Sequence, residues 1–146
     1  MPSIDVCYSP ELLHLYELKG KAVVAVDILR ATSTMVAAFA HGATDIIPVM
    51  QLEECRGYAE QGCLTAAERN GLKAEGFDLG NSPFAYMNGN VKGRTVAITT
   101  TNGTRAIRMS EAADEIIVGA FLNLEAVAQH LRELQLDVLV VCAGWK

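Results

Sequence analysis

Two acidic residues stand where a carboxylate could bind a metal ion or act as a base. Asp27 directly follows the apolar run 23–26, and Glu68 follows the short apolar run 63–67. Burying a carboxylate is costly unless it is paired, so an acidic residue at the end of a buried strand suggests a function. Strand ends are also where open α/β sheets bind ligands. A purely structural role for Asp27, capping the following turn, is the alternative.

Two polar segments, residues 30–34 (RATST) and 99–105 (TTTNGTR), have the composition of anion-binding loops. Each combines hydroxyl groups with an arginine and precedes a predicted helix, whose first backbone N–H groups also attract anions. Either segment alone could be ordinary helix capping, but two of them at equivalent strand ends favour a binding site. The predicted ligand-binding residues in these segments are Thr32, Ser33, Thr100, Thr101, Asn102, Gly103, Thr104 and Arg105.

A third polar segment, residues 68–83, is unusually long for a loop inside a compact domain. Its glycines, asparagines and clustered charges indicate a functional loop rather than a simple connection. We expect this loop to face the same cavity as Asp27. The residues that it is predicted to contribute to the site are Glu68, Arg69, Asn70 and Asn81.

Together the three segments supply two carboxylates, three arginines and many neutral donors. The carboxylates of Asp27 and Glu68 suit a hard, oxygen-seeking cation such as Mg²⁺, and we predict that both are metal ligands. The guanidinium groups of Arg30, Arg69 and Arg105 suit a small ligand with two anionic groups. The residues predicted to be catalytic are Asp27, Glu68, Arg30 and Arg69.

The elements that must position these residues alternate between strands and helices. This alternation predicts a three-layer α/β/α fold with a mostly parallel sheet. Apolar runs predict strands at 4–7, 22–28, 45–49, 63–67, 95–99, 115–118 and 137–141. Helical periodicity and capping residues predict helices at 10–18, 34–41, 52–61, 83–87, 104–110 and 124–134.

An internal β-α-β-α repeat is also visible. Residues 24–32 (VAVDILRAT) align with 96–104 (VAITTTNGT), and residues 45–52 align with 115–122. Each unit contains a strand, a polar loop, a helix capped by a threonine, a second strand and a second helix. The similarity could reflect a duplication, or only the pattern common to alternating strands and helices.

Composition narrows the class of protein. A chain of 146 residues with 51% hydrophobic residues is long enough for one domain with a substantial core. The net charge of −5 and the lack of a basic stripe give no electrostatic support for a nucleic-acid partner. No apolar run approaches the roughly 18 residues that span a membrane. Cys7, Cys55, Cys63 and Cys142 form no CxxC pair, which predicts reduced thiols and a cytoplasmic location.

The end of the chain carries a further expectation. Residues 138–142 (VLVVC) predict a strand that is apolar on both faces and therefore lies inside a sheet. In parallel sheets such a strand normally leads into a helix, whereas here the chain stops at Lys146. We therefore expect residues 1–146 to be a single α/β domain that is truncated at its C-terminal end. We also expect a homo-oligomer or an aggregation-prone chain, because apolar surface would otherwise be exposed.

The three polar segments resemble the 2-phosphosulfolactate phosphatase family. The resemblance rests on VVAVDILRATST (23–34), ERNGLKAEGFDLGNSP (68–83) and TTTNGTRA (99–106), and it extends to GAFLN (119–123) and VCAG (141–144). It implies a three-layer α/β/α fold and Mg²⁺-dependent hydrolysis of 2-phospho-3-sulfolactate, a step toward coenzyme M. Two departures are that Ala67 replaces a common glycine and that family members continue past VCAG into a second half.

Two hypotheses follow for the activity. In the first, the protein is a phosphatase for a phosphate monoester of a small anionic three-carbon acid. Direct attack by water is favoured over a phosphoenzyme at Asp27, because Leu29 occupies the position of the second aspartate of aspartyl-phosphate phosphatases. In the second, the protein is a non-catalytic anion-binding module. A nucleotide-binding domain is disfavoured, because the chain lacks a glycine-rich fingerprint.

Overall fold

The computed structural model describes residues 2–144, which contain strands and helices in alternation. The strands are β1 (Ile4–Cys7), β2 (Lys21–Val26), β3 (Asp45–Pro48), β4 (Leu64–Arg69), β5 (Leu72–Lys73), β6 (Thr95–Thr99), β7 (Glu115–Gly119) and β8 (Asp137–Cys142). The α-helices are α1 (Ala31–Ala40), α2 (Leu52–Gly57), α3 (Gly103–Met109) and α4 (Leu124–Leu134). Short 3₁₀ helices lie at Pro10–Leu15, Tyr58–Gln61, Pro83–Tyr86 and Phe121–Asn123.

The strands form two sheets. Sheet A has the order β1-β8-β2-β7 and is parallel throughout. Sheet B has the order β3-β6-β4-β5, in which only the β4–β5 pair is antiparallel. The predicted α/β class with mostly parallel strands is confirmed, and so is the interior position of the strand at 138–141. The division of the strands between two sheets was not predicted.

Each sheet combines strands from both halves of the internal repeat. The first strand of each unit lies beside the second strand of the other unit, so that β2 pairs with β7 and β6 pairs with β3. The order β8-β2-β7 in sheet A corresponds to β4-β6-β3 in sheet B. The two halves therefore have the same topology, with their central strands in different sheets.

Hydrogen bonds define which residues of the two halves correspond. The Asp27 N–H donates to Thr32 Oγ1 at 3.0 Å, and the Thr100 N–H donates to Thr104 Oγ1 at 3.0 Å. Asp27 therefore corresponds to Thr100, whereas the ungapped sequence alignment pairs it with Thr99. The difference arises because the first loop has one more residue than the second.

Two helices cover the sheets on separate faces. The amphipathic helix α4 packs on sheet A through Val127 and Leu131, which contact apolar side chains of β2, β7 and β8. Helix α2 packs on sheet B through Cys55, in a cluster with side chains of β3, β4 and β6. Within residues 2–144, no helix combines the length and the apolar composition needed to cross a membrane.

Helices α1 and α3 connect the two sheets. Met35 of α1 and Ile107 of α3 belong to one buried cluster that also contains Ala25 of sheet A and Ile98 of sheet B. Because this cluster includes side chains from both sheets, its burial holds the sheets together. Apolar burial of this kind stabilises a fold by roughly 25 cal/mol per Å².

Most predicted elements are confirmed, with local differences at their ends. Helix α1 begins at Ala31 rather than at residue 34, so that Thr32 and Ser33, the two residues expected to cap it, lie within its first turn. The helix predicted at 52–61 is α-helical to Gly57 and 3₁₀ to Gln61. The helix predicted at 10–18 is only a 3₁₀ helix ending at Leu15.

The segment 68–83 is partly a β-hairpin rather than a continuous loop. Strand β4 extends to Arg69, and the chain returns through Asn70-Gly71 into β5. Asn70 and Gly71 have φ values of 55° and 78°, as a type I′ turn requires, and Asn-Gly is the preferred pair for this turn. The Asn-Gly pair is thus the sequence signal of a hairpin that was not predicted. The hairpin gives Glu68 a regular strand position.

The N-termini of α1 and α3 meet at Ala31 and Gly103. A Cβ atom on Gly103 would lie 2.3 Å from the Ala31 Cβ and 2.7 Å from Asp27 Oδ2. Neither neighbour is the end of a long flexible side chain, so the contact leaves no room for a larger residue.

We predict that Gly103→Ala lowers the free energy of unfolding by about 1–3 kcal/mol, because the added methyl group overpacks this contact. Urea denaturation measures the change. Gly57→Ala is the control, since Gly57 lies in α2 with no atom within 4 Å of the added Cβ. It should be neutral or stabilise by up to about 1 kcal/mol. Equal stability of Gly103→Ala and the wild type would contradict the prediction.

Candidate functional site

A polar cavity of about 410 Å³ lies at the C-terminal ends of strands from both sheets. Its walls come from the residues that follow β2, β6 and β8 and from the β4–β5 hairpin. This is the sheet edge at which parallel α/β proteins bind ligands. The lining residues are Asp27, Leu29, Arg30, Glu68, Asn70, Gly71, Asn81, Thr101, Asn102 and Gly144.

The Asp27 carboxylate lies between the first turns of α1 and α3. The backbone N–H groups of Ala31, Arg30 and Gly103 lie near this carboxylate and act to lower its pKa. Burial nevertheless raises the pKa of Asp27 above its ordinary value, and the negative charge of Glu68 contributes in the same direction. No lysine or arginine within residues 2–144 forms an ion pair with this carboxylate.

The Glu68 carboxylate is held from two sides. Its Oε1 atom accepts the Gly71 N–H at 2.6 Å, and its Oε2 atom accepts the Thr101 N–H at 3.2 Å. The Thr101 hydroxyl adds a donor at 3.3 Å. These bonds connect the hairpin turn to the loop after β6, and Glu68 as a residue is only 7% exposed. As predicted, Glu68 and Asp27 face the same cavity.

Of the three arginines predicted for the site, only Arg30 lines the cavity. Its Nη2 atom donates to the Gly71 carbonyl at 2.9 Å. Arg69 instead donates to the Glu68 carbonyl at 2.6 Å and to Thr99 Oγ1 at 3.0 Å, because neighbouring residues of a strand point to opposite faces. Arg105 forms an ion pair with Glu11 on the protein surface. The structure thus brings neither Arg69 nor Arg105 to the cavity wall.

The predicted hydroxyl groups divide into two sets. Thr101 lines the cavity together with the predicted amides Asn70, Asn81 and Asn102. Thr32, Thr100 and Thr104 are buried and bond within their own loops, and Ser33 Oγ donates to the Ile28 carbonyl at 2.7 Å. These four side chains do not reach the cavity wall, because they hold the strand ends to the helices. Gly103 contributes its backbone N–H to Asp27.

Three lining residues were not predicted. Gly71 lines the cavity because it belongs to the Asn-Gly turn, which was not predicted. Gly144 lines it because it comes directly after β8, which ends beside β2. Leu29 lines the cavity with its side chain 84% exposed. No sequence pattern distinguishes this leucine from a core residue, because its exposure depends on the packing of α1.

The donor set is compatible with Mg²⁺. Within residues 2–144, no group of three or more His, Cys, Asp or Glu side chains is arranged to hold a metal ion. Mg²⁺ does not need such a cage, since it commonly binds one or two carboxylates and completes its coordination with water and substrate phosphate. The mutual repulsion of Asp27 and Glu68, which contributes to the raised pKa of Asp27, is the imbalance that a cation between them would relieve.

The fold and the cavity define an α/β protein with a carboxylate-containing polar site at the ends of its parallel strands. The family model described as 2-phosphosulpholactate phosphatase matches residues 7–146. The chain belongs to this family, which confirms the resemblance found in the sequence.

Three curated relatives, each named probable 2-phosphosulfolactate phosphatase, illustrate the similarity. The chain is 46% identical to the protein of Caldanaerobacter subterraneus subsp. tengcongensis over 132 residues, which cover 88% of this chain and 55% of the relative. It is 46% identical to the protein of Thermotoga petrophila over 141 residues, which cover 97% of this chain and 60% of the relative. It is 44% identical to the protein of Clostridium acetobutylicum over 145 residues, which cover 97% of this chain and 61% of the relative. The chain therefore spans between 55% and 61% of the length of these relatives.

The raised pKa of Asp27 predicts how stability depends on pH. The folded state binds this proton more tightly than the unfolded state, in which the pKa is about 3.8. The free energy of unfolding should therefore fall as the pH rises from about 3.8 through the raised pKa. Asp27→Asn should remove this fall, as measured by urea denaturation between about pH 4 and about pH 8.

Asp137→Asn provides a control in which stability should depend on pH in the opposite direction, because the pKa of Asp137 is lowered. The Ser3 N–H and hydroxyl lower the pKa of Asp137, so its contribution to stability is present above about 3.8 and is lost as the pH falls below that value. The urea denaturation series for this control therefore extends down to about pH 2. Identical pH profiles for the wild type and Asp27→Asn would contradict the assignment of Asp27 as a destabilised buried charge.

Proposed function

We propose that the protein is a Mg²⁺-dependent phosphatase that hydrolyses the phosphate monoester of a small anionic three-carbon acid. The substrate that the family suggests is 2-phospho-3-sulfolactate, converted to 3-sulfolactate as a step toward coenzyme M. The observation that carries the proposal is the presence of Asp27, Glu68 and Arg30 in one cavity. Two carboxylates can hold a cation, and the guanidinium can bind a phosphoryl group.

Each residue of the cavity has a role in this reaction. Asp27 and Glu68 would hold Mg²⁺, which when bound would polarise the phosphoryl group and offset its negative charge. Arg30 keeps one N–H on the Gly71 carbonyl and has further N–H groups for the phosphoryl oxygens. Neutral donors from Asn70, Asn102 and Thr101 would orient the rest of the substrate.

Attack by water is favoured over a phosphoenzyme at Asp27. The backbone N–H groups of Ala31, Arg30 and Gly103 favour the charged form of Asp27, and this stabilisation reduces the nucleophilicity of its carboxylate. Asp27 therefore suits a role as cation ligand more than a role as nucleophile.

A cytoplasmic location and a homo-oligomeric state belong to the same proposal. All four cysteines are free thiols, as a reducing compartment would keep them. Phe121, Leu122 and Leu124 expose between 63% and 74% of their side chains next to one another in sequence, which would suit a subunit contact. A non-catalytic anion-binding module remains the alternative function, but no observation on the described residues specifically favours it.

Release of phosphate from p-nitrophenyl phosphate, with and without Mg²⁺, tests the proposal. We expect turnover that depends on the metal and that falls by at least about 10²-fold in Asp27→Asn. Calorimetry with inorganic phosphate runs in parallel. Phosphate binding without any turnover would contradict the phosphatase and favour the binding module.

The positions of the arginines give a sharper prediction. Arg30→Gln should lower kcat/KM by about 10²–10³-fold, because it removes the cation that would face the transferring phosphoryl group. Arg105→Gln should change kcat/KM by less than about threefold, since an exposed ion pair contributes little. Arg108→Gln is the matched surface control, because Arg108 pairs with Glu111 on the exposed side of α3. Equal losses in Arg30→Gln and Arg105→Gln would place both arginines in the site.

A further inference from the structure

The backbone of Gly71 lies between two charged side chains of the cavity. Its N–H donates to Glu68 Oε1 at 2.6 Å, and its carbonyl accepts a hydrogen bond from Arg30 Nη2 at 2.9 Å. All three residues line the cavity. Arg30 is 41 residues away from Gly71 in sequence, so the turn connects the β4–β5 hairpin to the loop that follows β2. One residue therefore bonds to both a carboxylate and a guanidinium of the site.

The geometry of the Asn70-Gly71 turn makes these backbone groups available to side chains. In a two-residue hairpin the ladder of backbone hydrogen bonds ends at the flanking pair, which here is Arg69 and Leu72. The N–H and the carbonyl of Gly71 lie inside the turn and are not part of that ladder. The left-handed backbone of Gly71, with a φ of 78°, sets the directions in which both groups point.

The same arrangement keeps Arg30 and Glu68 from pairing with each other. Within residues 2–144, no ion pair joins these two side chains, although both line one cavity. A direct pair between a guanidinium and a carboxylate is frequently bidentate and would occupy the N–H groups that an anionic ligand needs. Gly71 instead satisfies one donor of Arg30 and one oxygen of Glu68 with uncharged backbone groups. The charge of the guanidinium thus stays available to a ligand.

Holding one nitrogen of the Arg30 guanidinium also fixes the direction of the others. The group is planar and presents its five N–H donors in a rigid fork, so the bond to the Gly71 carbonyl restricts the plane in which the remaining donors lie. A long side chain that is free before binding loses rotamer freedom when a ligand immobilises it, which weakens binding. Because Gly71 already holds Arg30, this loss is smaller when a ligand binds.

We propose that Gly71 is a positioning residue. Its N–H is anchored on Glu68, and its carbonyl holds the Arg30 guanidinium in place for a phosphoryl group and away from the Glu68 carboxylate. The inference deepens the proposed function and rests on it for the identity of the anion. Gly71 acts through Arg30 in this role, and no contact between Gly71 and the substrate is needed.

Gly71→Ala and Gly62→Ala form a matched pair of variants. The two glycines have φ values of 78° and 80°, and an added Cβ would meet no atom within 4 Å at either position. The Gly62 carbonyl also accepts a hydrogen bond from an arginine, Arg94, whose Nη2 atom lies at 3.1 Å. Gly62 precedes β4 and lies outside the cavity wall. Because alanine strains a left-handed backbone at both positions, urea denaturation should find similar losses of stability.

NMR titration of the isotope-labelled 146-residue chain with inorganic phosphate, at saturating Mg²⁺, measures anion binding without any turnover. The turn in Gly71→Ala relieves its strain by changing its dihedral angles, which moves the carbonyl of residue 71 away from Arg30. We expect this variant to bind phosphate about threefold to tenfold more weakly than the wild type, the cost of immobilising one free side chain. Gly62→Ala should bind phosphate as the wild type does.

A double-mutant cycle determines whether Gly71 acts through Arg30. When Arg30→Gln is already present, Gly71→Ala should weaken phosphate binding by less than about twofold, because the guanidinium that the turn positions is gone. A purely structural effect of Gly71→Ala would be equally large with and without Arg30. The cycle therefore distinguishes a positioning role from a general loss of structure.

The inference is overturned if Gly71→Ala binds phosphate as tightly as the wild type, if Gly62→Ala weakens binding equally, or if Arg30→Gln leaves the effect of Gly71→Ala unchanged. A wild type that binds no phosphate overturns it as well. Phosphate binding that depends on Gly71 through Arg30, in a chain that does not turn over p-nitrophenyl phosphate, supports the inference and contradicts the proposed phosphatase. Metal-dependent turnover with phosphate binding that is indifferent to Gly71 contradicts the inference alone.

Discussion

The contact between the first turns of α1 and α3 is the constraint on which the site depends. Helix α1 follows β2, an interior strand of sheet A, and helix α3 follows β6, the corresponding interior strand of sheet B. Ala31 and Gly103 approach so closely that no Cβ fits on Gly103. The Asp27 carboxylate lies at this junction, where backbone N–H groups of both helices stabilise its charge. This one contact therefore brings the strand ends of two separate sheets around a common cavity.

The electrostatics of the cavity follow from the same arrangement. Asp27 and Glu68 provide two negative charges, and Arg30 provides the one guanidinium among the lining residues. Arg30 and Glu68 both bond to Gly71, so the hairpin turn is tied to the loop after β2 and to the end of β4. An anionic ligand would meet a wall with net negative charge, which supports the proposal that a cation binds with it.

Particular residues illustrate how far the sequence leads. Asp27 and Glu68 were predicted to share a cavity, and they do, because the carboxyl ends of parallel strands lie at one edge. Asn70, Asn81, Thr101 and Asn102 lie on the cavity wall for the same reason. Thr32 and Thr104 have the composition of anion-binding residues, yet their hydroxyls hold loops to helices. A hydroxyl at a helix start can do either, and the surrounding packing decides which.

The sequence by itself determined the α/β class, the alternation of elements, the family and the two carboxylates at strand ends, because these depend on local periodicity and on residue type. Only the tertiary structure decided that the strands form two sheets, that Arg69 and Arg105 bond elsewhere, and that Gly71 bonds to both Glu68 and Arg30. Strand partners and side-chain partners are distant in sequence and compete with one another. Which partners pair depends on which surfaces pack together in the folded chain, and no local sequence pattern predicts this.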